Sequence, residues 1–403
     1  MTEDRSRPAW ARVDLDAVRH NVAALTRLAA PSALCAVVKA DAYGHGSTEV
    51  AQAAVEGGAT WLAVALVEEG ARLRRAGIEA PILLLSEPEA DGLEAAVAYR
   101  LTPTLYTAAA VGRAAAAAAA VGVVAPVHVK VDTGMHRVGA TPADAFEIAM
   151  AAAGEASLDL EGIWTHLAVA DGGSAEDRAF TAAQLQRFDD VVDKLAAEGV
   201  RPRVRHAANS AATVVHADAR YQMVRCGLAV YGYLPTPEVA AAFAEASGGA
   251  ELRPVLSLLA KVSAVRLLER GDRPSYGRRR PLPQRSVVAT VPIGYADGVP
   301  RALFDGGFEV LIGGRRHPLA GTVTMDQIVV DCGADAPVAP GDEVVLLGRQ
   351  GDEVVTADEW ARRLGTISYE VLTGIGPRVP RLTDGEFEPR WRAWAPGDPG
   401  GDR

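Results

Sequence analysis

The stretch "ALCAVVKADAYGHG", residues 33–46, holds a run of small apolar residues that ends abruptly at Lys39 and passes into a loop broken by Tyr43 and His45. The apolar run is the length of a buried strand and short for a buried helix. Seven more runs of this kind follow. They are "TWLAVAL" (60–66), "PILLLS" (81–86), "TPTLY" (102–106), "APVHVKVD" (125–132), "LDLEGIWTHL" (158–167), "RPRVRHAANS" (201–210) and "MVRCGLAVYG" (223–232). Between them lie segments with helical spacing, such as "VEEGARLRRAG" and "RFDDVVDKLAAEG", each closed by a glycine as helix C-termini often are. The alanine-rich "RAAAAAAAVG" (113–122) reads as an outer helix, because alanine is the best helix former. Eight strand and helix alternations in about 200 residues fit a (β/α)8 TIM-type barrel better than an open doubly wound sheet, although periodicity alone does not separate the two.

A barrel makes the strand ends informative, since active sites of that fold sit at the C-terminal mouth. The rule selects Lys39, Lys130 with Arg137 beyond it, His166, Asn209 with Ser210, and Arg225. After about residue 245 the pattern changes. "VLSLLAKVSAVRLL", "SVVATVPIGYA", "FEVLIGG", "TVTMDQIVVDCG" and "DEVVLLG" are β-rich runs joined by Gly, Pro and Asp turns, with one helix announced by the capping pattern in "TADEWARRLG". The expected organisation is a barrel over 1–245, a mostly β domain over 246–386 and a flexible tail over 387–403. The strand-like "WARVDL" within residues 1–14 is expected to pair with the β domain.

Composition limits the function. The 403 residues are 49% hydrophobic, enough to bury a large core. A net charge of −10 with dispersed basic residues does not favour nucleic acid, and no segment approaches the roughly 18 apolar residues of a membrane span. The N-terminus lacks the apolar centre of a signal peptide, so the expected compartment is the cytoplasm. Cys35, Cys226 and Cys332 are far apart and suggest neither a disulfide framework nor a metal site. A small-molecule role remains. A lysine held beside apolar walls is partly desolvated, which lowers its pKa and frees the amine to bond an aldehyde cofactor.

"AVVKADAYGHG" (36–46) resembles the pyridoxal phosphate attachment sequence of the alanine racemase family. The resemblance continues in order through "KVDTGMHRVG" (130–139), "THLAVAD" (165–171), "HAANSAAT" (206–213), "RCGLAVYG" (225–232), "PSYGRRR" (274–280), "IGYADGVPR" (293–301), "GTVTMDQ" (321–327) and "TISYEVLTGIGPRVPR" (366–381). It implies a fold-type III barrel followed by a β domain, and interconversion of L- and D-alanine that supplies D-alanine for peptidoglycan. It also implies roles. Lys39 would carry pyridoxal 5'-phosphate and act as one acid/base group, with Tyr276 as the other, on opposite faces of the substrate carbon. His166 would contact Tyr276 and pass that contact to Arg225, which faces the cofactor's ring nitrogen and, being unable to give up its proton, leaves that nitrogen neutral.

Tyr43, Ser210, the backbone of Gly227 and Leu228, and Tyr369 match the family's phosphate contacts, and Asn209 matches a cofactor-proximal position. Arg137 matches the group that meets the substrate carboxylate. Lys130 matches a lysine that many members carbamylate; an unmodified Lys130 paired with an acid is the other option. Met325 and Asp326 would line the substrate pocket and Tyr295 would narrow its entrance. In the family these β-domain residues, with Tyr276, reach the barrel of a second chain, so the resemblance implies a homodimer with shared sites. The chain departs from the usual pattern at Cys226 and at Trp164, where phenylalanine is common. Related readings are a broad-specificity or serine racemase, a basic amino-acid decarboxylase of related fold, and a non-catalytic pyridoxal phosphate protein; the last lacks a β domain and is opposed by the β-rich region that holds Tyr276.

Overall fold

In the computed structural model, which describes residues 7–383, all eight apolar runs contain parallel strands: Ala33–Val37, Trp61–Val64, Ile82–Leu84, Thr104–Leu105, Ala125–Lys130, Leu158–Trp164, Val204–His206 and Met223–Cys226. They form two four-stranded arrays. One seam between the arrays is closed by Thr102 N–H donating to Ile82 O at 2.8 Å and Leu84 N–H to Thr102 O at 2.9 Å. The other is closed by Gln222 N–H to Arg205 O at 3.1 Å and Arg225 N–H to Ala208 O at 2.9 Å. The eight strands therefore make a ring, which decides for the barrel over the open sheet.

Strand alternation sorts the side chains. In Ala125–Lys130, Val127 and Val129 join the apolar cluster that includes Ala110, Ala114, Ala118, Ile148 and Phe188 of the surrounding helices. His128 and Lys130 belong to the other face, towards the barrel interior. The alanine-rich segment is the helix Ala108–Val121, capped by Thr107 at its start and ended by Gly122 in the left-handed conformation. Gly70 is a packing necessity, since a Cβ there would meet the Leu101 side chain at 2.7 Å.

Contacts divide the chain into two units, Leu15–Val255 and a second made of the residues up to Asp14 with those from Leu256 onward. In the second unit Ala9–Val13 pairs antiparallel with Leu256–Lys261 and parallel with Arg381–Thr383. Its main sheet continues through Glu343–Gln350, Glu309–Ile312 and Arg315–Pro318, and a three-stranded sheet joins Ala264–Leu268, Ser286–Val291 and Ile328–Asp331. The helix Ala357–Leu364 begins at Thr356, whose hydroxyl accepts from Glu359 N–H at 3.1 Å. "GTVTMDQ" is a loop rather than a strand, with Thr324 Oγ1 donating to Gln327 O at 2.7 Å. Short hydroxyl-to-backbone bonds of this kind divert a chain from a sheet ladder. The tail expected over 387–403 lies outside the described residues. Among the described residues no helix is long and apolar enough to cross a membrane.

Candidate active site

Lys39 stands two residues after the end of its strand, half-buried, and among the described residues its amine has neither hydrogen bond nor ion pair. The chain then makes an uncommon turn. Ala40, Asp41, Ala42 and Tyr43 all have φ between 52° and 54°, a left-handed helical turn of four non-glycine residues. Each such residue costs about 1–2 kcal/mol relative to a right-handed one, so the turn must be held by its surroundings. Glu69 accepts from Ala40 N–H at 2.6 Å and Asp41 accepts from Ser47 N–H at 2.9 Å. The Tyr43 ring lies 4.8 Å from that of Tyr231, whose hydroxyl donates to Val37 O at 2.9 Å. Burial pulls the Lys39 pKa down, the Arg137 charge adds to this, and Glu69 opposes it.

Deeper in the barrel lie Lys130 and Arg225, both almost fully buried, with the Trp164 ring 4.2 Å from Lys130 Nζ and 4.5 Å from the Arg225 guanidinium carbon. Each cation is thus held by a π face. No carboxylate among the described residues forms an ion pair with Lys130, so the acid partner left open by the sequence is not found. Burial, with the charges of Arg225 and Arg137, pushes Lys130 down to about 7. The terminal nitrogens of Arg225 meet His206 Nδ1 at 2.7 Å, His166 Nδ1 at 3.2 Å, Thr165 O at 2.8 Å and Ala207 O at 3.1 Å. Burial lowers Arg225 to about 10, still protonated at neutral pH, and drives His166 and His206 well below the ordinary imidazole range. Nε–H of Arg225 has no acceptor among the described residues.

Other donors here are also left without an acceptor among the described residues. Besides Arg225 Nε–H, Ser210 Oγ accepts from Gly227 N–H at 3.0 Å and from Ala229 N–H at 3.4 Å, which leaves its own proton to give. Leu228 opens a short 3-10 helix, so its N–H has no partner within that helix. Gly227 is required, because a Cβ there would collide with the Tyr43 hydroxyl. An amine, an arginine N–H suited to a neutral ring nitrogen, and neutral donors beside a tyrosine fit pyridoxal phosphate. Asn209 acts as a helix cap, its side chain accepting from Ala212 N–H at 3.0 Å. Arg137 is exposed and without an ion-pair partner among the described residues.

The remaining sequence candidates fall in the second unit. Tyr276 is 74% exposed and Met325 52% exposed, unusual for large apolar side chains. Their loops are tied together: Thr322 Oγ1 donates to Tyr276 O at 3.1 Å, Ala296 N–H to Met325 O at 3.0 Å, and Arg378 to Asp326 at 2.7 Å. Tyr295 is exposed on the same loop system, and Tyr369 lies on the helix Ser368–Thr373. Sequence reasoning overlooked Glu69, His128 and His206. Alternation within "APVHVKVD", which places His128 on the face of Lys130, was the available signal for one of them.

The fold and these donors define a barrel enzyme built to hold pyridoxal phosphate on a lysine. Residues 13–235 match the alanine racemase N-terminal domain and residues 255–383 its C-terminal domain. The chain is similar to the alanine racemase of Symbiobacterium thermophilum, 46% identical over 386 residues that cover 96% of this chain and all of that protein. It is likewise similar to the crystal structure of alanine racemase from Streptomyces lavendulae, with TM-score 0.86, 40% identity, and coverage of 94% of this chain and 98% of that one. A third relative is the structure from Bacillus anthracis with bound L-Ala-P, with TM-score 0.85, 38% identity, and coverage of 94% and 95%. The chain belongs to the alanine racemase family. It is a pyridoxal phosphate-dependent isomerase of amino acids.

Proposed function

We propose that this enzyme interconverts L- and D-alanine with two acid/base groups, Lys39 and Tyr276, contributed by different copies of the chain. The observation that carries the reading is the free, partly desolvated amine of Lys39, followed by a left-handed turn and influenced by the charges of Arg137 and Lys130. When bound, pyridoxal phosphate supplies the electron sink that acidifies the substrate's α-proton. Lys39 Nζ, with its pKa lowered, exchanges that proton on one face of the carbon. The Tyr276 phenol does so on the other. His166 accepts from Arg225 at Nδ1, which leaves its Nε2–H to hold the phenolic oxygen in its proton-accepting form. Arg225 offers its Nε–H to the cofactor's ring nitrogen; Ser210, Gly227, Leu228, Tyr43 and Tyr369 hold the phosphate, with Asn209 beside the cofactor. Arg137 binds the substrate carboxylate, Met325 and Asp326 line the pocket, and Tyr295 narrows its entrance.

The exposed Tyr276, Met325 and Tyr295 support a homodimer, since large apolar side chains gathered on one loop system are a face that asks for cover. Three buried, unpaired cysteines support a reducing compartment, the cytoplasm. D-Alanine made there feeds peptidoglycan.

L-Alanine, L-serine and L-lysine offered separately in deuterated water test the substrate: alanine is expected to give both enantiomers fastest, each deuterated at the α-carbon. Faster racemisation of lysine or serine would overturn the assignment. Tyr276→Phe is expected to keep the cofactor's visible band and lose about a thousandfold in kcat. Mixing it, after subunit exchange, with Lys39→Ala is expected to restore turnover, because one site of each mixed dimer regains both groups. Two dead variants that stay dead together would refute the shared site.

A further inference from the structure

Arg225 is a buried cation with no carboxylate among its direct contacts. A guanidinium donates and never accepts, so His206 Nδ1, 2.7 Å from Arg225, is an acceptor, and the proton of that neutral ring sits on Nε2. His206 Nε2 lies 2.9 Å from His128 Nδ1. The same rule applied again makes His128 Nδ1 an acceptor and puts its proton on Nε2. That Nε2 is enclosed, has no hydrogen-bond partner, and stands 3.6 Å from Oε2 of Glu161. Glu161 is partly exposed and also meets Arg203 at 3.2 Å. A single direction of donation therefore runs from a buried cation through two imidazoles, and the last N–H faces a carboxylate 3.6 Å away.

The space is shaped for these rings. Gly162 is the register partner of His128, and a Cβ on it would collide with the His128 ring. The Trp164 indole stacks on His206 at 5.5 Å and 10°, and the Trp61 ring lies 5.5 Å from His128. Apolar residues would fill a barrel interior at less cost than polar ones, so a row of polar groups there has a use. Burial keeps both imidazoles neutral.

We propose that His206, His128 and Glu161 are a positioning relay, which compensates the Arg225 charge from a distance and fixes the direction of its remaining Nε–H. A carboxylate bound directly to Arg225 would supply the same charge and take up that donor. The proposal rests on Arg225 facing the cofactor's ring nitrogen, and its test separates the two ideas. Nitrogen-15 spectra of histidine-labelled holoenzyme at neutral pH should show His206 and His128 as neutral Nε2–H tautomers. A proton on Nδ1 of either ring overturns the relay whatever Arg225 faces. Glu161→Gln and His128→Leu are each expected to lower kcat about tenfold, to leave KM within about twofold, and to shift the pH titration of the bound cofactor's visible band.

His128→Gln, whose carbonyl can accept from His206 and whose amide can donate to Glu161, should recover most of the rate lost in His128→Leu. A Glu161→Gln enzyme with kcat within about twofold of the parent and an unmoved titration refutes the relay. So does a fall of the same size in all three variants accompanied by lowered melting temperatures, which is what loss of packing alone would give. An unchanged visible band in Arg225→Met would overturn the placement of Arg225 at the cofactor, and with it the relay's purpose, while leaving the tautomer result standing.

Discussion

Arg225 in the barrel and Arg316 in the β-rich unit are both multiply bonded arginines, yet they answer opposite needs. Arg316 is 28% exposed and has carboxylates on three sides: Glu353 at 2.8 Å, Glu359 at 3.0 Å and Glu309 at 3.6 Å. Arg363 shares Glu359 at 3.0 Å, and the hydrogen bonds that Arg316 donates to Glu359 and Glu353 raise its pKa. Arg225 is 3% exposed and meets imidazoles, carbonyls and an indole face, and burial lowers its pKa. One cluster is neutralised where it stands, which is how a fold secures charge near its surface. The other crowds Lys39, Lys130, Arg137 and Arg225 together with little compensation, and an arrangement that raises the energy of the free protein is kept where an anionic ligand relieves it.

Replacing each arginine by methionine, similar in length and uncharged, is the sharpest way to break this contrast. Arg225→Met is expected to lower kcat by at least about a hundredfold, the scale of removing a preorganised donor from a reacting site. Arg316→Met should leave kcat within about twofold and lower the unfolding free energy by about 2 kcal/mol, because Glu353 then loses its cation and Arg363 alone is left to offset Glu359 and Glu309. Steady-state rates and urea unfolding of both variants decide the matter. If Arg316→Met were as inactive as Arg225→Met while still folded, the division into structural and functional charge would fail.

The barrel was legible because parallel strands buried on both faces appear as apolar runs, and each of the eight runs contains a strand, although several run well past its ends. Strands such as Arg315–Pro318 and Glu353–Val355 were not, since they carry charge and have no apolar run. The lysine at 39 announced itself by ending an apolar run. The left-handed turn after it did not, because Ala40, Asp41 and Ala42 have no intrinsic liking for positive φ and are held by Glu69 and the Tyr43 and Tyr231 rings, contacts distant in sequence. His128 and His206 stayed hidden for a similar reason. A histidine within an apolar strand looks like an ordinary core residue until the neighbouring strands bring the two rings to 2.9 Å.

Lys130 offers a smaller and more exacting test, because its charge can be titrated in place. Its folded pKa is about 7 against 10.5 for the free side chain, chiefly through burial, then through Arg225 and Arg137, with Asp132 opposing. Below about 7 both folded and unfolded chains bind this proton, so the penalty is complete and constant. Between about 7 and 10.5 the unfolded chain binds it and the folded chain does not, so stability rises with pH across that window. An unmodified parent should therefore gain up to a few kcal/mol from this group as pH rises, and Lys130→Met should show a flatter profile in urea unfolding. The neutral amine is also the form that combines with carbon dioxide. We propose that the resulting carbamate gives the crowded cations, Arg137 above all, the anion that no neighbouring carboxylate supplies. Carbamate formation releases a proton that the unfolded chain's lysine takes back, so added bicarbonate should extend the rise of stability with pH to below about 7 and increase the mass of the intact protein by one carbon dioxide. An unmoved profile and mass would leave Lys130 a plain buried amine resting on Trp164, and identical slopes in parent and variant without bicarbonate would show that its pKa is not lowered at all.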